Sequence, residues 1–207
     1  MAVYAGRPGD PEHLGRQFDP VVAAARAGSG WAAERLWRAL APAVAGYLRV
    51  QGAAEPEDLT SEVFVGVFRN LGSFRGDEEA FRAWVFTIAH RRLLDERRRA
   101  ARHPRPVELP SDDGGARAPS GRDGPGTPMA ASAEHDALRR LGADRVRALC
   151  ARLAPDQRDV LVLRLVGGLT IEEVATAIGK TPGAVKSLQH RAVAALRKIL
   201  DQEGVTL

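Results

Sequence analysis

The stretch Gly167–Leu200, GGLTIEEVATAIGKTPGAVKSLQHRAVAALRKIL, predicts two helices separated by a short break. Thr170 followed by Glu173 is the pattern of a capping box, which starts a helix because the two side chains pair with backbone N–H groups that would otherwise lack acceptors. Gly179 ends this first helix, and Thr181 caps the next one. Two capped helices around a four-residue break are typical of a helix-turn-helix.

The second of these helices divides into an apolar face and a polar face. At about 100° per residue, one side collects the apolar residues Val185, Leu188, Ala192, Leu196 and Ile199. The other side and its flank carry the candidate DNA-contacting residues Lys186, Ser187, His190 and Arg191. Short polar groups read base edges and cations bind phosphates, so this face suits the DNA major groove. An ordinary amphipathic helix with a solvated polar face is the alternative.

Bulk properties narrow the class of protein. The 207 residues are 44% hydrophobic and 27% charged, which suits a globular chain of one large or two small domains. Of the 30 basic residues only three are Lys, so 27 are Arg, and their placement is more informative than the net charge of +4. No apolar run approaches the roughly 20 residues that span a bilayer, and the N-terminus lacks a signal-peptide core. We therefore expect a cytoplasmic protein without a membrane span.

Catalytic and metal-binding patterns are missing from the sequence. The five His show neither an HExxH motif nor an arrangement with paired carboxylates, and the single cysteine, Cys150, excludes an internal disulfide and a cysteine-built zinc site. Cys150 falls on an apolar stripe with Val146, Leu149 and Leu153, which predicts a core position. We expect no enzyme activity, no catalytic residue, no metal, no cofactor and no small-molecule substrate.

The first half of the chain predicts several helices with an exposed polar face. Apolar stripes in 18–50 include Trp31 and Trp37, both of which we expect in the core, and Pro42 is expected to bend this region or start a new helix. A further helix follows Pro56. Its mixed face, solvated or available for docking another protein, includes Asp58, Ser61, Glu62, Arg69 and Asn70.

A glycine-containing loop and an Arg-rich helix follow. The loop contains Phe74, Arg75, Gly76 and Asp77, and the helix after it carries seven Arg between 91 and 105, including Arg91 and Arg92. Such clustering on one element is typical of phosphate binding. Phe74, in the loop, is the aromatic most open to stacking on an unpaired base, whereas we expect Phe81 and Trp84 to lie in the core.

Composition changes between residues 104 and 133, where six Pro and five Gly leave no periodicity. This predicts a flexible linker. The expected organisation is an all-α fold with a disordered extension at 1–17, a helical domain at 18–102, a linker at 103–135 and a helix-turn-helix domain at 136–207. A flexible coil of thirty residues spans roughly 30 Å, so the two domains can separate.

Taken in order, these segments resemble the ECF (extracytoplasmic-function) sigma factors. The resemblance rests on DLTSEVFVGVFRNL, on SFRGDEEAFRAWVFTIAHRRLLDERRR and, after the linker, on LAPDQRDVLVLRLVGGLTIEEVATAIGKTPGAVKSLQHRAVAALRKIL. It implies a sigma-2-like and a sigma-4-like domain in an initiation subunit that directs core RNA polymerase to promoter DNA. The implied partners are the polymerase clamp and flap, promoter DNA and, as a candidate, an anti-sigma factor.

The resemblance also implies roles for residues of this chain. Asp58, Ser61, Glu62, Arg69 and Asn70 would contact the polymerase clamp. Phe74, Arg75, Gly76 and Asp77 would form the loop that captures an unpaired base of the −10 element, with Arg91 and Arg92 near the melted strand. Lys186, Ser187, His190 and Arg191 would contact the −35 element. A stand-alone helix-turn-helix regulator is the alternative, but it leaves the Arg-rich helix and the loop unexplained.

Three departures from the family pattern accompany the resemblance. Ser61 stands where the family often has Gln, and Leu188 and Val193 stand where basic residues are usual. The segment after Asp77 is one residue longer than the common pattern. The promoter sequence of a relative therefore does not transfer to this chain.

Overall fold

The computed structural model describes residues 14–102, 142 and 144–204. In these residues the chain forms helices α1 (Phe18–Arg26), α2 (Gly30–Val50), α3 (Pro56–Asn70), α4 (Glu78–Arg102), α5 (144–151), α6 (Pro155–Leu165), α7 (Ile171–Ile178) and α8 (Pro182–Gln202). Short 3-10 turns occur at Gly15–Gln17 and Leu71–Ser73. The described residues contain no strand, which confirms the predicted all-α fold. The linker predicted at 103–135 lies outside them.

The first domain packs four helices around an aromatic and aliphatic core. Helix α2 packs against α1 and α3, and α3 packs against α4. Tyr47, Phe64, Phe81 and Phe86 are all buried between them, and Phe81 and Trp84 pack together with ring centroids 5.8 Å apart. These contacts confirm that the aromatic residues of α4 belong to the core.

Three details of this domain differ from the sequence-based expectations. Trp31 is 59% exposed at the start of α2, so its prediction as a core residue is wrong, whereas Trp37 packs on Phe64 at 4.6 Å between ring centroids. Pro42 lies inside α2, which continues to Val50, so the alternative that it starts a new helix is wrong. Leu14 is buried and its N–H donates to Glu78 Oε1 at 2.7 Å, so structure extends into the segment assigned to a disordered extension.

The second domain is the predicted helix-turn-helix. Thr170 accepts from the Glu173 N–H at 3.2 Å, and the Glu173 carboxylate accepts from the Thr170 N–H at 2.6 Å, so the capping box is present. Gly179 ends α7 in the left-handed region with φ of 67°, a conformation that glycine adopts without steric cost. Thr181 then caps α8 by accepting from the Ala184 N–H at 3.2 Å. The two caps fix the sharp change of direction between α7 and α8.

Packing within the second domain follows the predicted apolar stripe of α8. Val185, Leu188, Ala192 and Ile199 are buried, and α8 packs against α6 and α7. Cys150 is buried as expected, and this burial raises the pKa of its thiol. Val146 is 48% exposed, so its assignment to the same apolar stripe is wrong.

The two domains contact each other. Helix α4 packs against α7, and α2 touches α6, where the Cβ that Gly46 lacks would lie 3.9 Å from Val166 Cγ1. Across this contact Gln51 Nε2 donates to Asp159 Oδ1 at 2.8 Å, although 108 residues separate the two in sequence. Both side chains are buried. The sequence gives no sign of this pairing.

Candidate nucleic-acid interface

The exposed face of α8 carries the four residues predicted to contact the upstream promoter element. Lys186, Ser187, His190 and Arg191 are all exposed, and they occupy the first half of the helix, close to the Thr181 cap. Arg191 lies along the helix, with Nε donating to the Ser187 carbonyl at 3.3 Å. In helix-turn-helix proteins the N-terminal residues of the second helix reach the base edges. The structure therefore brings these side chains together on the part of α8 that suits groove insertion.

The loop before α4 is tightly built and exposes only some of the predicted residues. Arg75, Gly76 and Asp77 are exposed, whereas Phe74 is 7% exposed. The Phe74 ring stacks on Trp84 with centroids 5.2 Å apart and an interplanar angle of 27°. In this conformation the Phe74 ring packs between the loop and α4, and its faces are not accessible to a base.

Three internal contacts fix the shape of this loop. Arg75 Nη1 donates to the Gly72 carbonyl at 2.7 Å and to the Phe74 carbonyl at 2.6 Å. Asp77 Oδ1 accepts from the Ala80 N–H at 2.8 Å and so caps α4. Gly76 has φ of 143°, and a Cβ there would lie 2.8 Å from the Ala80 Cβ, so glycine is required. The exposed groups are therefore presented by a preorganised turn.

The Arg side chains in the second half of α4 differ in their exposure and in their partners, which the sequence does not indicate. Arg91 is exposed and Arg92 is partly exposed, with Arg92 Nη2 about 3.8 Å from the position of a Gly66 Cβ. Arg98 pairs with Asp95 at 3.1 Å. Arg97 turns inward and donates from Nη2 to the Gln51 carbonyl at 2.8 Å, so it is not part of an open phosphate-binding surface. Arg105 lies outside the described residues.

A stripe along α3 presents the residues predicted to contact the polymerase. Asp58, Ser61, Glu62, Arg69 and Asn70 are all exposed. Their spacing of three, four and seven places most of them on one face. Val65, which is 48% exposed, lies in the middle of this stripe and adds an apolar contact point. The Ser61 hydroxyl donates to the Glu57 carbonyl at 3.1 Å, so its oxygen stays close to its own helix.

A groove between α6 and α8 was not predicted from the sequence. It has a volume of about 330 Å³ and is lined by Leu161, Arg164, Leu165, Gln189, Val193 and Leu196, among others. Leu165 is 74% exposed at its edge. The i, i+4 pair of leucines on α6 is the sequence signal that could have indicated it. Val193, which departs from the family pattern, lines this groove and does not lie on the exposed face that carries Lys186 and His190.

Of the buried polar side chains in the described residues, Gln51, His90 and Asp159 lie at or beside the domain contact. The Tyr47 hydroxyl and His90 Nδ1 are 2.9 Å apart in the buried region, and Arg97 Nη1 lies 3.8 Å from Asp159 Oδ1. Burial raises the pKa of Tyr47 and lowers the pKa of His90, because each charged form would lose hydration there. Among the described residues no cluster of His, Cys, Asp and Glu could hold a metal ion, and no helix is long and apolar enough to cross a membrane.

Comparisons with known proteins identify the family. The chain matches the models of sigma-70 region 2 over residues 36–103 and sigma-70 region 4 over residues 143–196. It is 39% identical over 146 residues to the ECF RNA polymerase sigma factor ShbA of Streptomyces griseus, covering 70% of this chain and 72% of the relative. It is 32% identical over 190 residues to the ECF RNA polymerase sigma factor SigD of Mycobacterium tuberculosis, covering 88% and 84%.

A solved structure shares the fold. The structure of CnrH in complex with the cytosolic domain of CnrY matches with a TM-score of 0.61 and 24% sequence identity, covering 88% of this chain and 96% of that one. Helix α1 and the start of α2 lie before the matched region 2. With two sigma-70 regions in order and relatives of this similarity, the chain belongs to the ECF sigma factors, the alternative sigma factors that bind core RNA polymerase and direct it to promoter DNA.

Proposed function

We propose that the two domains divide promoter recognition between them, the first at the −10 element and the second at the −35 element. The observation that carries this proposal is the exposure of Lys186, Ser187, His190 and Arg191 together on the first half of α8. Bidentate Arg contacts to guanine are a common source of base specificity in the major groove. Arg191 is therefore assigned to base reading, and Lys186, on the flank, to a backbone phosphate.

In the first domain the exposed tip of the loop captures the unpaired base. Arg75, Gly76 and Asp77 form the contact, because they are exposed while Phe74 is held under them. Arg91 and Arg92 lie further along the same helix, α4, where their positive charges would follow the backbone of the melted strand. Phe74 acts as the support of the loop in this proposal, and no base stacks on it.

Two surfaces serve the polymerase. The stripe of Asp58, Ser61, Glu62, Arg69 and Asn70 on α3, with Val65 at its centre, docks on the clamp. The groove between α6 and α8 receives the flap, because exposed Leu165 and the apolar lining offer a seat for a small apolar segment and Arg164 lies beside it. Apolar contacts surrounded by polar groups are the usual anatomy of a protein interface.

The chain acts in the cytoplasm, where core polymerase and promoters are found, and it contributes recognition rather than catalysis. An anti-sigma factor that covers the α3 stripe or the groove would hold it inactive. CnrH, which shares the fold, has been captured with the cytosolic domain of CnrY. The partner of this chain would recognise the same combination of exposed apolar and charged side chains.

In vitro transcription with purified core polymerase on fragmented genomic DNA tests the proposal. New start sites that share two upstream boxes are expected only when the chain is added. Absence of start sites, together with tight duplex binding by the chain alone, would instead indicate a stand-alone helix-turn-helix regulator.

Single substitutions then test which surface recognises each promoter box. Arg191→Ala should weaken dependence on the upstream box, whereas Lys198→Ala, an exposed change two turns further along α8, should not. Asp77→Asn should relax base preference in the downstream box, since the amide oxygen can still cap α4 while the charge is lost. Equal effects of the Arg191 and Lys198 changes would contradict the assignment of the α8 face.

Leu165→Asp tests the groove. It should weaken activity at promoters that depend on the upstream box and leave binding of the first domain to the clamp intact. Val146→Asp is the matched control, because Val146 is also exposed but does not line the groove. If both changes have the same effect, the groove has no special role in polymerase binding.

A further inference from the structure

Helix α1 contributes a contact to the loop before α4 that the matched sigma-70 region 2 does not include. Arg26, the last residue of α1, donates from Nε to the Leu71 carbonyl at 3.1 Å and from Nη2 to the Phe74 carbonyl at 2.5 Å. The matched region begins at residue 36, ten positions later. One guanidinium therefore holds two backbone carbonyls, one at each end of the turn that leads into Arg75.

We propose that Arg26 is a positioning residue for base capture at the −10 element. The planar guanidinium donates in a fixed fork, so two bonds to carbonyls set both the position and the orientation of the turn. The Phe74 carbonyl also accepts from Arg75 Nη1 at 2.6 Å, which joins Arg26 to the exposed tip through a single oxygen. This inference rests on the proposed role of Arg75, Gly76 and Asp77.

The contacts around Arg26 indicate that its role is to position the loop and not to stabilise the domain core. Its α1 helix is already anchored by buried Phe18, Val21 and Val22, so the domain core does not depend on the guanidinium. Phe74 is anchored separately by its ring stacking. Arg26 adds hydrogen bonds to two carbonyls of the loop backbone. These bonds fix the position of the exposed tip relative to α4.

The test compares −10 base preference, not only activity. Holoenzymes made with wild-type chain, Arg26→Gln, Arg26→Lys and Arg38→Gln are assayed on a promoter obtained from the in vitro transcription experiment and on single-base changes of its downstream box. Arg38 is the control, since it is an exposed Arg that pairs with Glu34 on α2. The thermal midpoint of each variant shows whether it has unfolded.

Arg26→Gln should reduce discrimination between the best and worst downstream bases roughly tenfold, the fold-change that follows from losing about 1.4 kcal/mol of charge-assisted bonding. Arg26→Lys should retain only part of the wild-type base discrimination, because an ammonium group cannot bind both carbonyls in a fixed plane. A uniform loss at all promoter variants would overturn the positioning role. If Asp77→Asn also leaves base preference unchanged, the base-capturing role of the loop fails instead.

Discussion

At the residue scale, Gly76 shows how a single position can determine the shape of the loop before α4. Its φ of 143° is one that L-residues rarely adopt, and a Cβ there would lie 2.8 Å from the Ala80 Cβ and 3.3 Å from Phe74 Cζ. A side chain would therefore both strain the backbone and disturb the ring that supports the loop. The sequence is compatible with a requirement for glycine in this loop, but it does not reveal that Ala80 and Phe74 are the neighbours that impose it.

Gly76→Ala should destabilise the first domain by roughly 1–3 kcal/mol, the usual cost of a strained backbone position, and should reduce transcription from the downstream box. Thermal unfolding and in vitro transcription measure the two effects. Gly72→Ala is the matched control, because Gly72 lies in the same loop with no atom within 4 Å of its added Cβ and no positive φ. A Gly72 variant as unstable as the Gly76 variant would contradict this explanation.

His90 provides a second prediction at this scale. Burial lowers the pKa of His90, which lies against the Tyr47 hydroxyl and within the influence of Asp159, Arg97 and Asp156. Since the unfolded chain binds a proton near the ordinary pKa of 6.5 and the folded chain resists it, stability is fully present above 6.5. It is lost as pH falls from 6.5 towards the lowered pKa of the folded state.

The free energy of unfolding, measured by denaturant titration between about pH 7.5 and 5, should therefore decrease on acidification. His90→Gln should flatten this part of the profile, because the protonation difference is removed. His190→Gln, at an exposed position on α8, should leave the profile unchanged. A wild-type profile that is flat over this range would show that the His90 pKa is not lowered.

At the scale of elements, helix caps determine the arrangement of the helix-turn-helix. The Thr170–Glu173 capping box fixes the start of α7, and the Thr181 cap fixes the start of α8 with Gly179 between them. Because α7 has only eight residues, it cannot rely on its own propensity and depends on its caps and on packing. The angle between α7 and α8 follows from these termini.

Thr170→Ala should destabilise the second domain by about 1 kcal/mol, the typical cost of losing an N-cap. Thr176→Ala is the control, since Thr176 lies exposed within α7 and its hydroxyl donates to the Glu172 carbonyl of the same helix. Chemical denaturation followed by circular dichroism measures both. Because Ala has the higher helix propensity, the Thr176 variant should lose no stability, and an equal loss in both variants would contradict the assignment of the Thr170 effect to capping.

At the scale of the whole molecule, the domain contact bears on how the free chain meets DNA. Its α8 face is exposed, but α4 is partly covered by α7 in the same chain. Phosphate contacts alone give non-specific affinities, whereas specific binding by this chain would need both domains placed on their own boxes. Core polymerase can supply that separation.

The free chain should therefore bind a duplex with both promoter boxes only in the non-specific range, with a Kd of about 10⁻⁶ M or weaker at physiological salt. The affinity should fall steeply as salt rises, because Arg–phosphate contacts release counterions. Fluorescence anisotropy on the promoter and on a scrambled duplex measures this. Nanomolar, sequence-specific binding without polymerase would contradict the prediction.

The sequence by itself determined the helices, the two-domain division and the helix-turn-helix. These features depend on local signals: the 3.6-residue period of apolar positions, the caps at Thr170 and Thr181, and glycine at 179. The exposed stripe of α3 and the polar face of α8 were also readable, because a helix places residues three and four apart on one face. The ECF family assignment, drawn from motif order, is confirmed by the comparisons.

Only the tertiary structure decided which side chains were available and which elements touched. It buried Phe74 under the loop, exposed Trp31 and turned Arg97 away from its neighbouring Arg residues. It also brought Gln51 to Asp159 across 108 residues of sequence. Periodicity assigns a residue to a face of its own helix, but burial of that face depends on a second helix whose position is set by packing throughout the chain.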